Sequence, residues 1–266
     1  MKKTFSSKKS AFSLIELSIV LIIIGLLIAG ITGGASLIKS SELRSVMGEA
    51  RGYAVAVNAF YTQFNALPGD YATAVGSVSG VTTPASGLAV GDGDTKIEFC
   101  TTGCVTGATT ATGSEGAIAW QHLKFAGAID TAPTFAGGAT VSQVVGTNFP
   151  SSKIRASGWG FDYRTRTDDG TNPANQNVVV LTGTTSTTAA TVDTNTLVNG
   201  TPVSTGVILP TDALAIDSKI DDGIPTTGKI RGVQSACYSG TGTAGVYTVA
   251  TASKVCALSY QVDVNS

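Results

Sequence analysis

Lys8-Lys9-Ser10-Ala11-Phe12-Ser13-Leu14-Ile15-Glu16-Leu17 opens an apolar block that runs to Ile31. Four lysines (Lys2, Lys3, Lys8 and Lys9) precede or open it, and after Glu16 no charge appears until Lys39. Leu17–Ile38 is therefore 22 residues without a charge. As a helix it spans roughly 33 Å, enough to cross the hydrocarbon core of a bilayer. The lysines on its N-terminal side hold that end in the cytoplasm and put the C-terminal mass outside. Glu16 does not fit an ordinary anchor, because a carboxylate at the edge of lipid is costly without a partner.

The apolar pattern continues past the membrane edge in a different form. Leu43, Val46, Met47, Ala50, Tyr53, Ala54, Val57, Phe60, Tyr61 and Phe64 recur at spacings of three and four. That is the stripe of an amphipathic helix, with Lys39, Glu42, Arg44, Glu49 and Arg51 assigned to its other faces. The spacing predicts one helix over about residues 13–64, apolar all round in its first half and one-faced in its second. Gly25, Gly30, Gly33 and Gly34 weaken it, each by roughly 1 kcal/mol against Ala. Leu67-Pro68-Gly69-Asp70 ends it, since Pro disfavours helix in the residue before it and Gly permits a turn.

Phe12-Ser13-Leu14-Ile15-Glu16 ahead of an uncharged helix resembles the type IV prepilin signature, shared by type IV pilins and type II secretion pseudopilins. The resemblance implies that a prepilin peptidase cuts between Ala11 and Phe12 and methylates the Phe12 amine. Glu16 would then neutralise the N-terminal amine of a neighbouring subunit during assembly. The family usually has Gly before the cut; Ala11 is a departure, still small enough to accept. The implied fold is α+β and pilin-like, with a long N-terminal helix packed on a C-terminal antiparallel β-sheet domain carrying long loops and short extra helices. The implied division is a leader over 1–11, a helix over 12–66 with its membrane segment near 14–38, and a globular extracytoplasmic domain over 67–266. Implied partners are homologous subunits in a helical filament, the peptidase, the inner-membrane assembly machinery and, before assembly, membrane lipids. The implied location is the bacterial inner membrane, with a cytoplasmic N-terminus and a periplasmic domain, then a periplasmic or extracellular filament. Leu67-Pro68-Gly69-Asp70, Trp120-Gln121-His122-Leu123 and residues 210–225 resemble segments of longer prepilin-like proteins, less specifically. A secretory signal peptide cut near Gly33-Gly34-Ala35 is a competing reading, and an uncleaved anchor is another. Neither accounts for Glu16 or for the amphipathic helix that follows.

Charged residues are only 13% of the chain while glycine reaches 32 copies, the composition of an extracytoplasmic, loop-rich domain with β-structure. The net charge of −1 conceals an asymmetry: without residues 1–11, 13 basic residues face 18 acidic ones. Such a chain has no general attraction for phosphate backbones, so no nucleic acid partner is expected. Four cysteines, all beyond the apolar block, suit an oxidising compartment. They admit three pairings, and proximity favours Cys100 with Cys104 and Cys237 with Cys256. Zinc is a poor alternative, because the chain has one histidine, His122, and no second close cysteine pair.

Two acidic stretches are candidate cation sites. Gly91-Asp92-Gly93-Asp94 alternates acid and glycine, as short calcium loops do when they aim several oxygens at one ion. The competing reading is a tight turn in which Asp92 and Asp94 bond their own backbone. Asp217, Asp221 and Asp222 crowd charge at the C-terminus of a predicted helix, where it is unfavourable. Lys219, Lys229, Arg231 or a calcium ion must offset it. No other cofactor is indicated.

Between these stretches, Ser114 and Gly127 bracket a helix containing His122, and residues 71–113 read as a long loop. Residues 154–163 read as one strand or hairpin and 177–182 as a second, with further strands at 206–209, 229–233, 245–250 and 254–263. Thr211 reads as the N-cap and Gly223 as the stop of the helix before Pro225. His122 has no nucleophile motif near it, and no P-loop, dinucleotide fingerprint or nucleophile elbow is present. The pattern favours a non-enzymatic filament subunit. The alternative is a membrane-tethered exported binding domain or enzyme that forms no filament.

Overall fold

In the computed structural model the described residues are 13–79, 91–99, 115–130, 145–146, 149–164, 176–184, 206–233 and 236–262. They form α1 (Leu14–Phe64), α2 (Ala74–Ser77), α3 (Glu115–Phe125), β1 (Ser157–Arg164), β2 (Gln176–Gly183), α4 (Pro210–Ile220), β3 (Ile230–Gly232), β4 (Tyr238–Ser239), β5 (Val246–Tyr247) and β6 (Leu258–Gln261). One long N-terminal helix and a C-terminal antiparallel sheet with short helices make an α+β, pilin-like arrangement. Contacts divide the chain into two compact units, Met1–Glu42 and Leu43–Ser266.

In the first unit the helix is apolar on every side. Leu14, Ile22, Leu26, Ile31 and Leu37 are each more than 60% exposed, and the most apolar 18-residue window has no buried residue. By length and composition it can cross a membrane.

The second unit begins where one helix face becomes buried. Leu43, Val46, Ala50, Tyr53, Val57 and Phe60 recur at three and four and enter the core, with Met47, Tyr61 and Phe64 packed against it. Four antiparallel strands in the order β1-β2-β6-β3 form the sheet, and β4 and β5 make a separate hairpin. In the β1–β2 ladder Ser157 opposes Gly183 and Arg164 opposes Gln176. Val178–Thr182 of β2 is buried throughout, as suits a strand with a neighbour on each side. Helix, α3 and β1 meet at aromatic rings. Tyr53 lies edge-on to Trp120 at 4.9 Å and to Trp159 at 5.7 Å, and Trp120 packs on Phe161 at 4.2 Å. Pairs of this kind add about 0.5–1.5 kcal/mol beyond their area.

Several sequence expectations are corrected. Residues 206–209 form a single bridge, Ile208 to Cys256, not a strand, because Pro210 turns the chain into α4 at once. The N-cap of α4 is Leu209 and not Thr211; Pro210 takes the first helical position, where its missing N–H has no intrahelical acceptor to lose. Ile154 and Ala156 precede β1 in a turn where Ala156 has φ +60°. The strand expected at 245–250 is only Val246–Tyr247, and Thr251 N–H closes a turn onto Thr248 O. Within the expected loop, α2 supplies one short helix. Cys237 and Cys256 form a disulfide with Cα atoms 4.7 Å apart. It closes a loop of about 20 residues, worth roughly 3 kcal/mol in the chain-entropy model. Cys100 and Cys104 lie outside the described residues.

Glu49, expected on the helix's outer faces, turns inward. Its carboxylate accepts from Trp159 Nε1 at 2.9 Å, Ser152 Oγ at 2.8 Å and Lys153 N–H at 3.1 Å. Burial, and then the Glu49 charge, raises the Tyr53 phenol above its usual range. Replacing Glu49 by Ala leaves the indole N–H and the hydroxyl without their acceptor. We expect a loss of about 2 kcal/mol, read as a melting temperature several degrees lower. Arg51→Ala, on the exposed face, serves as the control and should stay within about 0.5 kcal/mol of the parent. Equal melting of parent and Glu49→Ala would show that the carboxylate does not brace helix to sheet.

Candidate functional site

The cleavage pair Ala11 and Phe12 lies outside the described residues. Ser13 precedes the first helical residue, Leu14, which makes Glu16 the third residue of the helix. Ser13 N–H donates to Glu16 Oε2 at 2.9 Å. A carboxylate at that position reaching back to the cap's N–H is half of a capping box. The Ser-x-x-Glu spacing that signals it is plain in the sequence, yet the family resemblance accounts for Glu16 without it and so hides the local role.

A second construction lies beyond the end of α1. Pro68 stops the helix, and Gly69 turns the chain at φ +91° with its Cα against the Glu115 carbonyl, where a side chain would collide. Gly69 N–H donates to His122 Nδ1 at 2.9 Å. His122 is fully buried, its ring stacked on Phe60 at 6.0 Å. It accepts through Nδ1, so it is neutral and positions this turn.

The turn delivers Asp70 into the interior at 3% exposure. Asp70 Oδ1 accepts the Gly93 and Asp94 amides at 2.6 and 3.0 Å, and Oδ2 accepts that of Thr95 at 2.8 Å. From the first turn of α3, Glu115 Oε1 accepts Asp92 N–H at 3.1 Å and Oε2 accepts Glu98 N–H at 3.2 Å. Two buried carboxylates thus hold the 92–98 segment by five amides. Asp92 Oδ1 accepts Asp94 N–H at 3.2 Å and Asp94 Oδ1 accepts Lys96 N–H at 3.0 Å, the bonds expected of the turn reading. Ligand oxygens of Asp70, Asp92 and Glu115 lie within 4.8 Å of one another. Asp94 is not in that group and pairs with Lys96. Of the two residues predicted here only Asp92 joins the cluster. Asp70 and Glu115 escape the sequence reading: Asp70 enters it only within the helix stop Leu67-Pro68-Gly69-Asp70, and Glu115 only as one residue of the helix bracketed by Ser114 and Gly127.

The other predicted acids do come together. Asp217, Asp221 and Asp222 have ligand oxygens within 4.8 Å of one another. Asp217 is fully buried and accepts Tyr247 Oη at 2.7 Å and Gly223 N–H at 3.2 Å. Asp221 Oδ2 accepts the amides of Lys229 and Ile230, and Asp222 takes Ile224 N–H at 2.8 Å and the Thr227 hydroxyl at 2.5 Å. Both groups have the all-oxygen character that a hard cation such as calcium selects. Amides and hydroxyls already engage those oxygens.

Burial dominates the titration of these acids. It lifts Glu115 to about 8 against the pull of its two amide bonds, with Asp70 and Asp92 adding repulsion. Asp70 and Asp217 rise to about 6 for the same first reason.

Residues 6–32 match the family model described as the prokaryotic N-terminal methylation motif. The match covers the segment holding Ala11, Phe12 and Glu16 and is consistent with a type IV pilin-like protein. Among curated proteins and among solved structures, no match is found.

The raised carboxyls set a direction for stability against pH. Their folded-state values exceed the ordinary 3.8 and 4.5, so between those limits the folded chain binds more protons than the unfolded one. Stability therefore falls as pH rises. From about pH 4 to 6 all three carboxyls contribute; from 6 to 8 Glu115 is the carboxyl among them that still does. Melting of the parent chain in chelator should drop steadily from about pH 6 to 8, and Glu115→Gln should flatten that limb. A melting temperature that rises over this interval would contradict the assignment.

Proposed function

We propose that this chain is a precursor of a structural subunit in a type IV pilus-like or type II secretion pseudopilus filament. A peptidase removes residues 1–11 and methylates Phe12. The mature helix resides in the inner membrane and then packs with copies or homologues of itself in the filament. The observation that carries this reading is the methylation motif over 6–32 leading into an unbroken helix with Glu16 in its first turn. The apolar surface of that helix finds no cover within its own unit. Lipid before assembly and neighbouring helices afterwards both supply one. The motif points to a structural subunit rather than an enzyme.

Glu16 has two uses in this scheme. Within the chain its carboxylate caps the helix through Ser13 N–H; in a filament it neutralises a neighbour's terminal amine. Glu16→Gln retains an acceptor for the cap and deletes the charge, whereas Glu16→Ala deletes both. Removing one partner of a buried ion pair costs roughly 3–5 kcal/mol. Both variants should therefore insert, be cut before Phe12, and accumulate in membranes while sheared filaments lose them. Intact mass of the membrane form reads the cut, and fractionation reads assembly. Glu16→Gln subunits in filaments at the parent's level would reduce Glu16 to its capping role. A mature chain starting near Ser36 would replace the whole scheme with a cleaved signal peptide.

Calcium at the buried carboxylates belongs to the same proposal. A cation among Asp70, Asp92 and Glu115 supplies the charge that burial otherwise forces Asp70 and Glu115 to find as protons. Asp217, Asp221 and Asp222 form the second candidate group. Binding to the native state alone adds about 2.7 kcal/mol at a hundredfold excess over the dissociation constant. The mature chain should melt higher in millimolar calcium than in chelator, and Asp92→Asn should shrink that gain. Identical melting in both would leave both groups as backbone-holding turns.

A further inference from the structure

A groove of about 610 Å³ opens where the end of α1, the turn after Pro68, the Gly93–Thr95 turn and β2 converge. That is within the usual range of about 300–1,000 Å³ for small-molecule sites. Tyr61 and Asn65 come from the last turn of α1 and its end, Tyr71 and Thr73 from the next segment, Thr95 from the acidic turn, and Asn177 from β2. The filament reading gives none of these residues a task.

The walls are preorganised. The Tyr71 ring is braced against Phe64 at 5.7 Å and Phe60 at 6.2 Å. Asn177 Oδ1 accepts Ile97 N–H at 2.8 Å while Nδ2 donates to Thr95 O at 3.2 Å, leaving that amide's second proton. Thr95 is held at φ +70°, which a β-branched residue rarely adopts. Its N–H is fixed by Asp70 and its carbonyl by Asn177. Strain of this kind gathers at ligand clamps. Asn65 also has positive φ, +52°, but it is the first residue past a helix, where Asn is tolerated. Its exposed side-chain amide has no partner among the described residues.

The chemistry of the walls selects a ligand class. Among the described residues no lysine or arginine lines the groove, so an anion finds no counter-charge there. The one acid among the described lining residues, Asp70, is 3% exposed and bonded to three amides, so a cationic ligand gains little there. A purely apolar ligand would bury amides and hydroxyls without partners, which is costly. What remains is a neutral molecule with apolar C–H faces and a rim of hydroxyls. We propose that this groove is a binding site for a saccharide of one or two rings, seated on the tyrosine rings and hydrogen-bonded by the Asn65 and Asn177 amides.

The test uses the full mature chain in a zwitterionic detergent, because glycoside detergents would compete. Saturation-transfer NMR with N-acetylglucosamine, N-acetylgalactosamine, galactose, mannose and a disaccharide of each covers the affinity range to about 10 mM, where single-site sugar binding is weak. Transfer to ring C–H protons is expected for at least one probe. Asn65→Gly removes the amide while tolerating the positive φ, and should weaken that probe at least about tenfold with unchanged melting. Tyr71→Leu should do the same by removing a stacking ring; should it fail to fold, Asn65→Gly still decides. No transfer from any probe, or equal affinity in parent and Asn65→Gly, overturns the proposal. Neither result bears on the assembly role of Glu16, so the two readings fail separately.

Discussion

Apolar helix surface that its own unit leaves uncovered is the constraint under which everything else in this protein is arranged. From Leu14 to Ile38 every Leu, Ile and Val side chain is exposed. In water such a surface would drive association without specificity. In a bilayer, or among like helices, it is matched. A helix also satisfies all its interior backbone groups by itself, leaving only its ends to be answered. At the N-terminal end Glu16 answers one of them by bonding Ser13 N–H. A carboxylate there is therefore useful locally before it is useful to any neighbour.

Past Glu42 the same helix obeys a different rule. Its stripe of Leu43, Val46, Ala50, Tyr53, Val57 and Phe60 becomes one wall of a core whose other walls are α3 and the sheet. The aromatic contacts among Tyr53, Trp120, Trp159 and Phe161 supply area, and Glu49 supplies direction by accepting from Trp159 and Ser152. An oily stripe alone tolerates sliding by a turn. A carboxylate bound to an indole N–H at 2.9 Å does not.

With charged residues only 13% of the chain, the carboxylates of this domain are used sparingly, and several of them lie inside. Asp70, Glu115 and Asp217 are buried, and each gathers backbone amides or a hydroxyl from segments with little regular structure. Strand ladders elsewhere satisfy such amides; in the 92–98 turn two side chains, Asp70 and Glu115, hold five of them. Burial raises these acids' affinity for a proton. The hubs that order the loops are thus also groups whose protonation follows pH.

Legible in the sequence were the long helix, its change from all-round to one-faced, its stop at Leu67-Pro68, extended segments near β1 and β2, and a preference for Cys237 with Cys256 among three pairings. Each of these follows from local periodicity, a local breaker or proximity in the chain. Tertiary structure alone decided that Asp92 joins Asp70 and Glu115 while Asp94 pairs with Lys96. It also decided that Glu49 turns inward and that Ile208 forms one bridge rather than a strand. The reason is range. Periodicity reports which face of an element is apolar. Glu49, Asp70 and Glu115 take their roles from donors 17 to 110 residues away, and only the folded chain brings those donors within hydrogen-bond reach.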